Sequence, residues 1–115
     1  GQFTKGKSCD TFCPIGPWFV TADEIADPQN LTLRTLVNGE VRQNGRSSDM
    51  LHSVAKLVSY LSQFMSLLPG DIIASGTPDG VGAGMKPPQF LKAGDEIVMS
   101  IDGLGEQRAR LVADR

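Results

Sequence analysis

The chain has 115 residues, 40% of them apolar, and a formal net charge of −2. That is one domain's worth of chain, able to bury roughly two-thirds of its unfolded surface. Its mild acidity and scattered basic residues exclude the electrostatic footprint of a nucleic-acid binder, and no apolar run approaches the ~20 residues that span a membrane.

The motif Lys5-Gly6-Lys7-Ser8-Cys9-Asp10-Thr11-Phe12-Cys13-Pro14-Ile15-Gly16-Pro17-Trp18 stands almost at residue 1, without an initiating Met or a signal-peptide pattern. The N-terminus therefore reads as a cut in the middle of a protein, and the C-terminus does not. Cys9 and Cys13 sit four apart. A disulfide between them would need an irregular bend, and a zinc site would need further ligands where only His52 remains. Both are expected as reduced thiols, in a cytoplasmic protein.

Trp18-Phe19-Val20-Thr21 predicts a short strand, and Pro28 stops any helix begun at Ala22. Leu31 to Val37 alternates apolar and polar residues, Asn38-Gly39 supplies a type I′ turn, and Glu40-Val41-Arg42-Gln43 returns as the partner strand. This hairpin is the clearest local signal. Ser47-Ser48-Asp49 offers cap oxygens to one long helix expected from Ser47 to Leu68, ended by Pro69-Gly70. Met50, Val54, Leu57, Val58, Leu61, Phe64, Met65 and Leu68 recur at helical spacing, which reads as core packing and not as a cofactor box. Alternation resumes at Asp71 to Ser75, Asp95 to Ile101 and Gln107 to Val112. Arg108, Arg110 and Arg115 alternate with apolar residues, as on the wet face of a strand. The fold class is α+β, mainly β, with one long helix.

The stretch Ser75-Gly76-Thr77-Pro78-Asp79-Gly80-Val81-Gly82 carries most of the chemical information. A β-branched run feeds a loop of glycines with one threonine, which is how a strand delivers amides and a hydroxyl to a small-molecule site. It is no phosphate cradle, because Met85 stands before Lys86 where a P-loop needs glycine. From the glycines alone a structural loop is the plainer reading. Lys7 reads either as a solvated lysine or, with Phe12, Pro14, Ile15, Pro17 and Trp18 close behind, as a desolvated partner for a developing oxyanion. His52 reads as a partly buried helix residue and not a ligand. Asp23/Glu24 and Asp95/Glu96 are adjacent pairs whose side chains diverge on a strand, so neither is a metal clamp.

Taken together, these residues resemble the fumarylacetoacetate hydrolase family. The resemblance runs through the Lys5–Pro17 motif, Val37-Asn38-Gly39-Glu40, Gln43-Asn44-Gly45, Leu68-Pro69-Gly70-Asp71-Ile72-Ile73-Ala74-Ser75-Gly76-Thr77-Pro78-Asp79-Gly80-Val81-Gly82, Leu91-Lys92-Ala93-Gly94-Asp95 and Ile101-Asp102-Gly103-Leu104-Gly105. It covers essentially residues 1–115, as the C-terminal part of one catalytic domain. Cys13-Pro14-Ile15-Gly16-Pro17-Trp18 and Met85-Lys86-Pro87-Pro88 look most like ureidoglycolate lyases and 2,4-diketo-3-deoxy-sugar-acid hydrolases.

The resemblance implies a mixed β-roll, incomplete at its N-terminus, in a protein that holds Mg²⁺ or Mn²⁺ and chelates the 2-oxo end of a small dioxo carboxylate. It implies Lys7 as the catalytic residue, with Thr77, Gly76 and Thr11 binding substrate and Gly76 allowing close backbone approach. The family's metal ligands, a Glu-x-Glu pair and an Asp, are expected upstream, so none is expected in this chain. The implied reaction is hydrolysis of a C–C bond in a 2,4-dioxo acid. Ureidoglycolate cleavage, oxaloacetate decarboxylation and isomerisation of hydroxymuconate-type diacids are the alternatives on the same scaffold. The full-length protein is expected to be a homodimer that contacts neither nucleic acid nor membrane. By itself the chain is expected to be inactive; a non-catalytic binding module and a split enzyme completed by another chain are the readings from other classes.

Overall fold

The computed structural model describes residues 3–113. Its centre is a four-stranded sheet built from β1 (Thr32–Val37), β2 (Glu40–Arg46), β3 (Glu96–Ile101) and β4 (Gly105–Arg110), in the order β2-β1-β3-β4. Every adjacent pair is antiparallel. The expected hairpin forms around Asn38 and Gly39, whose φ values of 52° and 82° are both left-handed. That is the backbone a type I′ turn requires, and Asn and Gly tolerate it best. The α+β, mainly β expectation matches this architecture.

Register sorts the two faces. Leu33, Thr35 and Val37 of β1 lie opposite Ile101, Met99 and Ile97 of β3, so one face is predominantly apolar. The other face is mixed, with Arg34, Ser100, Glu106 and Arg108 beside Leu36 and Val98. Arg108 and Arg110 are exposed, as a wet strand face requires; Arg115 lies outside the described residues. Pairing shifts between Thr35 and Leu36, where Gln43 and Val41 are the successive partners. Arg42 is thus the extra residue of a β-bulge, a device that re-aims side chains and twists the strand.

Asp95 closes the sheet's end from the turn before β3. It is only 7% exposed, and its carboxylate accepts from Asn38 Nδ2 at 2.9 Å and from the Lys92 amide at 2.9 Å. The Asn38 hydrogen bond, then the Lys92 amide, hold this carboxyl below the usual carboxylate range against the opposing effect of burial. A depressed folded pKa gives stability that is present above the unfolded value of about 3.9 and disappears as pH falls through the folded one. Asp95→Asn is therefore expected to lower the Tm at pH 7 by more than it does at pH 3, where the wild-type advantage has begun to fall away. Thermal unfolding at the two pH values checks this.

The single helix expected from Ser47 to Leu68 is a correction. The structure has a 3₁₀ turn at Ser47–Asp49, an irregular link, and a short helix, α2, at Val54–Leu61. Ser47 does not cap: its hydroxyl accepts from the Leu31 amide at 2.8 Å and its own amide donates to the Leu31 carbonyl, tying it to the sheet. Ser53 caps instead, accepting from the Lys56 amide at 3.2 Å, while Gln29 Oε1 takes the Val54 amide at 2.6 Å. Beyond Leu61 the ladder includes tighter bonds from Gln63 to Tyr60 and from Phe64 to Leu61. His52 is exposed in the link, not buried in a helix.

The apolar stripe of this segment was expected to be core, and this too is corrected. Among the described residues no hydrophobic side chain is buried; Phe64 is 66% exposed and Leu68 67%. The accessible surface is 9535 Å², against about 6,100 Å² expected by size scaling for a compact monomer of this mass. The pattern marks a face made for burial, but nothing among the described residues covers it. Residues 18–21 and 71–75, expected as strands, are likewise unpaired. No helix among the described residues is long and apolar enough to cross a membrane.

Candidate functional site

The glycine loop is fixed against the bulge of β2. Two close approaches hold it there. A Cβ on Gly45 would stand 2.7 Å from Pro78 Cβ, and one on Gly80 would stand 1.9 Å from the Arg42 carbonyl oxygen. Gly80 also has φ +96°, so both its conformation and its surroundings exclude a side chain. The bulged Arg42 reaches across to Gln89 Oε1 at 2.7 Å, beyond the loop's far end. Gln43 reaches the loop's centre, its amide nitrogen donating to Thr77 Oγ1 and to the Pro78 carbonyl, each at 2.8 Å.

Between this loop and α2 lies an open cleft of about 540 Å³. Leu33 and Ile101, paired across the apolar face of the sheet, form its floor, with Val54 and Leu57 of α2 on one side. Ser75, Gly76, Thr77 and Pro78 form the opposite side, and Arg46, Asp49 and His52 add polar groups at the rim. Such a cleft has an apolar body with a few convergent polar groups, the usual anatomy of a small-molecule site. Gly76 is left-handed, φ +117°, and a Cβ there would meet nothing within 4 Å. Within this loop close approach belongs to Gly80 and to Gly82, where a Cβ would stand 1.9 Å from the Gln89 carbonyl oxygen; at Gly76 the constraint is the backbone conformation.

Lys7 and Thr11 stand apart from the cleft's lining. Lys7 is the last residue of a one-turn helix, α1 (Phe3–Lys7), and is exposed. Phe12, Ile15 and Trp18, expected to dry its surroundings, are themselves 62%, 70% and 63% exposed. Thr11 is left-handed at φ 67° in the turn closed by Phe12 donating to the Cys9 carbonyl. A β-branched residue rarely adopts that backbone, and such outliers gather at functional sites. The following segment is held on the sheet by Gln107 of β4, which donates to the Gly16 carbonyl. Cys9 and Cys13 are exposed and unbridged.

The described residues contain no group of three or more His, Cys, Asp or Glu that could hold a metal ion. The cleft offers a single carboxylate, Asp49, and a hard divalent cation needs several oxygen ligands. These residues do not make a metal site by themselves. Gln43 and Arg42 contact the loop region, and sequence reasoning gave neither of them a site role. Gln43 entered it only as the start of the Gln43-Asn44-Gly45 motif, and a pair of long polar side chains beside a strand's Asn-Gly ordinarily means a wet strand face.

Residues 1–112 match the family model described as "Fumarylacetoacetate (FAA) hydrolase C-terminal". A relative in Burkholderia ambifaria is 58% identical over 108 residues, covering 93% of this chain and 38% of its own length. The fumarylacetoacetate hydrolase of Exiguobacterium antarcticum superposes with a TM-score of 0.94 at 48% identity, over 98% of this chain and 40% of that one. The maleylpyruvate hydrolase of Sphingobium sp. SYK-6, solved with manganese(II) and pyruvate, gives 0.81 at 42% identity, over 90% and 36%. The chain thus spans about two-fifths of the proteins it matches.

Proposed function

The chain belongs to the fumarylacetoacetate hydrolase family, and on that premise we propose that the whole protein hydrolyses a C–C bond of a small 2,4-dioxo acid. The observation that carries this reading is the pair of ligands in the similar maleylpyruvate hydrolase, manganese(II) and pyruvate. Pyruvate is the 2-oxo-acid fragment that C–C hydrolysis of an acylpyruvate leaves behind.

In the proposed reaction, water adds to the C4 carbonyl. The C3–C4 bond then breaks, its electron pair passing to the pyruvyl half as an enolate that takes a proton at C3. One water is consumed; a carboxylic acid and pyruvate leave. Within this chain, Thr77 would donate to the substrate carboxylate or 2-oxo group from the glycine loop, with Gly76 shaping the backbone beside it. Lys7 would stabilise negative charge developing on a substrate oxygen, and Thr11 would sit near it. The divalent ion, Mg²⁺ or Mn²⁺, and the base that activates water would come from residues outside this chain.

The test is product analysis with the whole protein and a 2,4-dioxo acid. Pyruvate and the complementary acid are expected in equal amounts, with no carbon dioxide. Carbon dioxide release, or an isomer of unchanged mass, would overturn hydrolysis in favour of decarboxylation or isomerisation.

A further inference from the structure

Gln43 has no role in the reading above, yet it is the residue that fixes the chemical state of Thr77. It stands half-buried on β2 opposite Thr35, on the sheet face that floors the cleft. Its amide group faces two atoms at once: the Pro78 carbonyl oxygen and Thr77 Oγ1, both at 2.8 Å. A peptide carbonyl oxygen can only accept a hydrogen bond, so the amide must turn its NH₂ group, not its oxygen, toward the loop. The two amide protons then serve the two acceptors. Thr77 Oγ1 receives one of them, which leaves the hydroxyl's single proton free to point elsewhere. Among the described residues that proton has no acceptor, and Thr77 lines the open cleft.

We propose that Gln43 is a positioning residue that presents Thr77 as a hydrogen-bond donor to the carboxylate of an anionic substrate in the cleft. The inference rests on the 2-oxo-acid reading given above. A threonine hydroxyl can either donate or accept and rotates between the two. A carboxylate can only accept. By occupying a lone pair of Oγ1, Gln43 selects the rotamer whose proton is available, and a hydroxyl that already accepts a bond is the better donor. The arrangement adds no charge, so it sharpens recognition of the carboxylate without drawing anions in general. The absence of side chains at Gly45 and Gly80 lets Pro78 and the loop lie close enough to β2 for Gln43 to reach Thr77.

The test is calorimetric titration of the whole protein with pyruvate, manganese(II) being present throughout, for Gln43→Met, Thr77→Val and the double variant. Thr77→Val is expected to weaken pyruvate about tenfold or more, and Gln43→Met about five- to twentyfold, as for loss of a hydrogen bond to a charged group. In the Thr77→Val background, Gln43→Met is expected to add less than about twofold, because its effect passes through the hydroxyl. An equal loss in both backgrounds would make Gln43 a merely structural residue and overturn the inference. Loss with Thr77→Val but none with Gln43→Met would overturn it too, while leaving the functional reading intact. No loss with Thr77→Val would remove that reading, and this inference with it. Gln43→Glu guards against a folding artefact. It keeps the side chain's shape, but its ionised carboxylate would take the Thr77 proton, so at pH 7 about tenfold or greater weakening is expected with cooperative unfolding retained. Wild-type affinity in that variant would also sink the proposal.

Discussion

Lys7→Met in the whole protein is expected to lower turnover of a 2,4-dioxo acid by about 10²–10³-fold, the range seen when one donor to a developing oxyanion is removed. Its Tm is expected to stay within a degree or two of the wild type. The two halves of this prediction have separate grounds. Lys7 ends the short helix α1, is exposed, and makes no ion pair among the described residues. Methionine keeps most of its length and apolar stem while deleting the ammonium, so little packing is disturbed. Any large loss therefore belongs to the chemical step and not to the fold. Steady-state kinetics beside a melting curve decide it: wild-type turnover in a well-folded variant would take Lys7 out of the mechanism.

Gly80→Ala carries the second large effect, this time through geometry. A methyl group there would have to occupy space 1.9 Å from the Arg42 carbonyl oxygen and 2.9 Å from its carbon, on a backbone with φ +96°. The obstacle is backbone at a bulge and not the tip of a flexible side chain, so either the loop lifts or the β1–β2 pairing yields. Overpacking of this kind costs about 1–3 kcal/mol, and a left-handed alanine adds to it. A Tm lower by several degrees is expected, together with pyruvate binding weakened about tenfold or more as Thr77 leaves Gln43. Gly39→Ala is the control. A Cβ at Gly39 meets nothing within 4 Å, although φ is +82°, so it should lose some stability and leave binding alone. Equal damage from both substitutions would show that strain, not the loop's docking, is what matters at Gly80.

What could be read from the residues was what is local. The Asn38-Gly39 hairpin follows from two residues that accept left-handed backbone, and it stands where the alternation put it. The β3–β4 pair was legible in the resumed alternation of residues 95–101 and 107–112. The helix was misjudged at its start because Ser47 and Ser53 offer the same capping hydroxyl. Which of them caps is decided by Leu31 and Gln29, neighbours in space and not in sequence. The bulge at Arg42 left no trace in the alternation, since an extra residue reads as one more polar position. Gln43 and Thr77 lie 34 residues apart, and nothing in either local pattern announces the other. The apolar stripe from Met50 to Leu68 was read as core, and among the described residues none of its side chains is buried, because helical spacing marks an apolar face without saying what lies against it.

The strand order β2-β1-β3-β4 has a consequence for how such a site can change. Each outer pair is a local hairpin, and the hairpins join side by side through β1 and β3. Residues 47–95, which hold α2, the glycine loop and most of the cleft wall, are simply the span between them. Lengthening such a span adds only about 0.6 kcal/mol of closure entropy for each doubling, whereas a change of register within the sheet would turn its apolar face to water. Insertions in that span outside the glycine loop are therefore expected to reshape the cleft while the frame that aims Thr77 stays put. Engineering of new specificities should graft into residues 47–74 and 83–95 and leave the glycine loop and the two hairpins untouched.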